Sequence, residues 1–64
     1  MNAADNMKYL IEFRSGSFFR DLADEHGSSR ANARRFDSRQ SAENFMRRHE
    51  WILFNGGMVV EVPQ

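Results

Sequence analysis

With 64 residues, a mass of 7.5 kDa and no cysteine, the chain reads as one small domain without disulfide staples or thiolate metal sites. Nine basic and nine acidic side chains cancel, which removes the net field that draws a protein onto nucleic acid or anionic lipid. The longest apolar run, residues 51–54, falls far short of the ~20 residues that cross a bilayer.

Residues 1–6 are polar or small without periodicity, so a flexible tail is expected there, with 7–64 forming a single compact domain. No positive stretch precedes an apolar one, so no secretory leader is expected. From Met7 the pattern changes: Met7, Tyr9, Ile11 and Phe13 alternate with Lys8, Leu10, Glu12 and Arg14, which predicts a strand over 7–14. Ser15 and Gly16 supply a tight turn, and residues 17–23 read as the returning strand. With that two-residue loop, Phe13 lies opposite Phe18, Ile11 opposite Arg20 and Tyr9 opposite Leu22.

Residues 24–30 are polar and contain Gly27, the mark of a loop. Residues 31–36 alternate small and large side chains and read as a short third strand. Asp37 or Ser38 suits a helix N-cap, with Asp37 and Gln40 spaced as a capping box. Ala42, Phe45, Met46 and His49 follow at helical spacing, predicting a helix over 38–50.

The next four residues, 51–54, carry two readings. Continuing the helical period puts Ile52 and Leu53 on the buried stripe, whereas the same run followed by Asn55-Gly56 and Met58 has the form of a hairpin. The reading adopted is an apolar connection and a last strand over 57–62, ended by Pro63. The expected fold class is α+β: a small, mainly antiparallel sheet with one helix packed on one face, in the order β-β-β-α-β. Its expected core is Tyr9, Ile11, Phe13, Phe36, Ala42, Phe45, Met46 and Val60.

Catalytic patterns are absent from the sequence. Asp24, Glu25 and His26 are adjacent, but neighbouring side chains in a loop point apart and do not converge on one ion. His49 sits near a helix C-terminus, where the macrodipole favours it. No Gly-x-Ser-x-Gly elbow exists, and Gly56-Gly57 lacks the setting of a phosphate loop. The chain is therefore expected to be non-enzymatic, with no catalytic residues, no metal and no cofactor.

Eight of the nine basic residues are arginine, the side chain suited to bidentate and stacked contacts. Six of them, Arg30, Arg34, Arg35, Arg39, Arg47 and Arg48, fall within nineteen residues. They form either a recognition patch or a solvated face, with Arg39, Glu43 and Arg47 spaced for intrahelical pairing. A second surface is expected on the outer sheet face, where Leu10, Phe19 and Val59 fall away from the main stripe. That face offers a contact for a partner or for a weak homodimer.

The run Ala33-Arg34-Arg35-Phe36-Asp37-Ser38, with Ala42, Phe45 and Met46 beyond it, resembles a strand-to-helix joint of small phage and mobile-element proteins, among them type I anti-CRISPR proteins. The likeness covers about a quarter of the chain, and no functional residue of that group maps onto it. It implies a compact sheet-plus-helix inhibitor that occupies a surface of a CRISPR effector, in the cytoplasm of a bacterial host. The absence of cysteine fits such a setting. The expected function is thus a binding module that blocks or bridges a protein or ribonucleoprotein partner, through Arg30, Arg34, Arg35, Arg39, Arg47, Arg48, Phe19 and Leu10. The alternative is direct nucleic-acid binding by the arginine cluster, without any membrane contact.

Overall fold

The computed structural model describes residues 7–23 and 27–63. The expected tail at 1–6 and the Asp24-Glu25-His26 loop lie outside the described residues. The architecture is α+β: strand β1 (Met7–Glu12), a 3-10 turn (Arg30–Asn32), helix α1 (Arg39–Arg48), helix α2 (Glu50–Phe54) and strand β2 (Met58–Pro63). The first and last strands pair antiparallel, Leu10 opposite Val60 and Ile11 opposite Val59. No helix among the described residues is long and apolar enough to cross a membrane.

The expected order β-β-β-α-β is corrected in both halves: among the described residues the sheet has two strands, and two helices replace one. Residues 17–23 do not form the expected strand: they turn back along β1 only as far as Phe19, and in a register shifted by one residue. The Phe13 N–H donates to Ser17 O at 2.8 Å and the Phe19 N–H to Ile11 O at 2.9 Å, with Glu12 facing Phe18. The loop therefore holds three residues, 14–16, with Gly16 at φ 93. One residue of slip turns every side chain to the other face. Phe19, expected outside, becomes fully buried beside Ile11. Beyond Phe19, the Asp21 carboxylate accepts the Ala23 N–H at 2.9 Å, and this local bond competes with a ladder.

Local bonding also displaces the expected strand over 31–36. The Asn32 N–H donates to Ser29 O at 3.0 Å and the Ala33 N–H to Arg30 O at 3.2 Å, closing the 3-10 turn. Only at its end does this segment join β1, where Phe36 and Tyr9 exchange backbone bonds of 2.9 and 3.0 Å. Lys8 fastens the same corner through a 2.6 Å ion pair with Asp37. That contact holds the Asp37 carboxyl below its ordinary pKa, first by hydrogen bonding and then by charge.

Ser38 caps α1: its Oγ accepts the Ser41 N–H at 3.0 Å, replacing the expected Asp37–Gln40 box. The helix breaks at His49, where φ is −131 and ψ 79. His49 Nδ1 lies 3.0 Å from Phe45 O, the carbonyl that an unbroken helix would give to the His49 N–H. The backbone N–H turns instead to Met46 O at 3.1 Å. A side chain has taken the main-chain acceptor, and α2 restarts in a new direction. Ile52 is fully buried, Trp51 packs on the core, and Leu53 turns out to solvent.

Asn55-Gly56 closes a helix rather than a hairpin. The Gly57 N–H donates to Ile52 O at 2.9 Å and the Gly56 N–H to Leu53 O at 3.0 Å, the paired bonds of a Schellman cap. Gly56 has φ 76, which both a hairpin turn and such a cap require. A Cβ at Gly57 would lie 2.6 Å from Ile52 Cγ2, so the chain passes too close for any larger residue.

One cluster forms the main core: Ile11, Phe13, Phe19, Phe36, Ala42, Met46 and Ile52, with Tyr9, Phe45, Trp51 and Val59 packed against it. Strand alternation puts Leu10, Val60 and Val62 on the opposite face. Leu10 and Val62 are buried there, outside that cluster, whereas Val60 is half-buried. The expected places of Val59 and Val60 are thus exchanged, because β2 meets β1 with Val59 opposite Ile11.

Candidate binding surface

The arginines are built on a framework of rings. Phe19 lies between Phe45 and Trp51, with centroids 5.1 and 6.1 Å away, and Trp51 continues to Phe13 at 5.9 Å. Phe45 also meets Phe36 at 5.5 Å and stacks on the His49 ring at 4.4 Å. The Arg34 guanidinium lies 5.1 Å from both the Phe36 and the Phe45 ring centres, so the cation covers the outer edge of the aromatic core. Arg39 takes the corresponding place over Tyr9 at 5.6 Å, whose hydroxyl donates to Glu61 Oε2 at 3.3 Å.

All six clustered arginines are exposed, but they do not form one patch. Arg47 donates to Asn44 Oδ1 at 3.0 Å; the Arg39–Glu43–Arg47 spacing produces no ion pair among the described residues. At 100° per residue, Arg39 and Arg48 project from opposite flanks of α1. Among the described residues, Arg30, Arg35 and Arg48 have neither an ion pair nor a side-chain hydrogen bond. Arg34 and Arg39 are committed to rings, and these three keep their hydrogen-bonding capacity for solvent or a ligand.

Leu10 and Phe19 do not contribute to any surface. Their exposures are 1% and 0%, so the expected outer contact face of Leu10, Phe19 and Val59 does not exist. The hairpin slip carries Phe19 into the core, and the β1–β2 register separates Leu10 from Val59.

An apolar corner that the sequence reading missed lies at the junction of α2 and β2. Phe54 is 79% exposed, Met58 60% and Leu53 46%. The Schellman cap joins these residues, and the Arg14 N–H ties the turn to the hairpin loop after β1 through Asn55 O at 3.0 Å. The corner is thus a fixed projection rather than a loose loop. The available signal was the run of Leu53 and Phe54 directly before Asn55-Gly56, because residues at a capped helix end are poorly covered. Among the described residues, no group of three or more His, Asp or Glu side chains is placed to hold a metal. No protein-family model matches the chain, and neither the curated proteins nor the solved structures contain a match.

Proposed function

We propose that this chain is a non-enzymatic binding module that occupies a surface of a protein or ribonucleoprotein partner, with Phe54 as its anchor. The observation that carries this reading is the exposure of Phe54 at 79%, next to Leu53 and Met58, on a turn held by a full set of cap bonds. Leaving such a side chain in water forgoes about 1.5–3 kcal/mol of burial, a cost a partner pocket would remove. A rigid aromatic anchor loses little entropy on docking, which is why such residues dominate interface energetics.

In the specific form that the resemblance implies, the partner is the effector complex of a type I CRISPR system in a bacterial host. The test is plaquing on cells with active type I immunity, expressing either the parent chain or Phe54→Ser. Rescue of plaquing by the parent and its loss in a normally folded variant is the expected result. Intact immunity in every subtype tested removes the CRISPR form. Equal activity of Phe54→Ser removes the anchor.

A second reading rests on Arg30, Arg35 and Arg48, which have no partner among the described residues. As phosphate contacts they would give a log–log salt slope of about −3 on duplex DNA. The zero net charge weighs against it. Labelled DNA titrated at several salt concentrations tests it. Absence of binding at low salt ends it.

A further inference from the structure

Among the described residues, strand β2 is paired on one edge only. β1 directs the backbone groups of Tyr9, Ile11 and Phe13 away from β2, toward Phe36, Phe19 and Ser17. Those of Lys8, Leu10 and Glu12 therefore face β2 and meet Val62, Val60 and Met58. By the same alternation, the N–H and C=O of Val59 and Glu61 point out from the free edge of β2, where no described residue pairs with them. Pro63 closes the strand and offers no N–H. An open, apolar edge of this kind is a template for another strand.

We infer that the occupant of this edge is a second copy of the chain, β2 pairing antiparallel with β2 about a two-fold axis at Val60. The sequence of the strand selects both the partner and the register. An axis at Val60 places Val59 opposite Glu61 of the other copy and Glu61 opposite Val59, so all four outward N–H and C=O groups of each edge are bonded. Val60 then faces Val60, and the exposed Met58 faces Val62, giving a continuous apolar stripe on the face that already holds Leu10. An axis at Glu61 would set two carboxylates directly opposite each other and ask Pro63 for a donor it lacks. An axis at Val59 would run off the strand at Gly57, whose N–H is already given to Ile52 O. The Val60 register alone satisfies the edge within the strand. It also converts a two-stranded sheet, marginal by itself, into four strands with no open β2 edge.

The chain contains no cysteine, so engineered cysteines report the register without background. Directly opposed residues of a non-hydrogen-bonded pair have Cα atoms about 4.5 Å apart, within the disulfide range of about 4.4–6.8 Å. Val60→Cys is expected to cross-link to the dimer at least about tenfold faster than Met58→Cys, whose two copies lie about 13 Å apart in this register. Collision governed by exposure alone predicts the reverse, because Met58 is 60% exposed and Val60 half-buried. Sedimentation of the parent chain should show a concentration-dependent dimer. Glu61→Pro should be monomeric with its circular dichroism retained, since β1 does not use the Glu61 N–H. A parent chain that stays monomeric throughout the soluble range overturns the inference. So does cross-linking of Met58→Cys as fast as Val60→Cys, or a Glu61→Pro variant that still dimerises.

Discussion

Replacing Phe19 by Ala tests the hairpin register, the feature on which the core depends. Phe19 is completely buried, with Phe45 at 5.1 Å, Trp51 at 6.1 Å and its backbone bonded to Ile11 and Arg34. Truncating a buried Phe costs about 3–5 kcal/mol through lost transfer energy and the cavity left behind. At 0.05–0.15 kcal/mol per residue, a domain of this length holds about 3–10 kcal/mol in total. Phe19→Ala should therefore be largely unfolded or close to it. Its neighbour Phe18 is only half-buried, so Phe18→Ala should cost about 0.8–1.5 kcal/mol, half of a full burial. Denaturant titration followed through Trp51, the single tryptophan and a neighbour of Phe19, measures both. In the two-residue-loop register the two phenylalanines exchange places. A Phe18→Ala variant as damaged as Phe19→Ala would refute the three-residue loop and the core built on it.

Three other perturbations follow from the structure. Ser38→Ala should lower stability by about 1 kcal/mol by freeing the Ser41 N–H, read as a shift in denaturant midpoint, whereas Asp37→Ala at the same joint should leave the cap bond intact. Gly57→Ala should cost about 1–3 kcal/mol, because its Cβ would sit 2.8 Å from Ile52 O as well as on the side chain, and thermal melting checks this. The Lys8–Asp37 pair depresses the Asp37 pKa, so its stabilisation is present above the ordinary aspartate value and lost as pH falls through the depressed one. Melting temperature against pH should fall less steeply on the acid side for Asp37→Asn than for the parent, and parallel curves would show that the pair contributes nothing.

Period-2 alternation from Met7 and period-3.6 spacing from Ala42 to Met46 identified β1 and α1 without any tertiary information, because each pattern is a property of one segment burying one face. Most of the core followed from the same stripes: Ile11, Phe13, Phe36, Ala42 and Met46 are buried, and Tyr9 and Phe45 are packed against them. The six arginines were legible as exposed side chains, but not as members of different flanks, since that depends on where α1 is turned. Four outcomes were open in the sequence, and each was settled by a contact between segments or by a competing local bond. The hairpin loop of two or three residues differs by one position, and Phe18 and Phe19 are chemically identical, so only the packing of Phe19 against Phe45 and Trp51 selects between them. The helix ends at His49 because its ring takes the Phe45 carbonyl, an event no periodicity encodes. Asn55-Gly56 serves a hairpin and a helix cap equally well through positive φ at glycine, and the seat of Gly57 on Ile52 selects the cap. Residues 31–36 alternate like a strand, yet the Ser29 and Arg30 carbonyls capture the N–H groups of Asn32 and Ala33 first. The apolar corner of Leu53, Phe54 and Met58 exists only as a consequence of the break at His49 and the cap at Gly56. Both had to turn the chain before those side chains could face water.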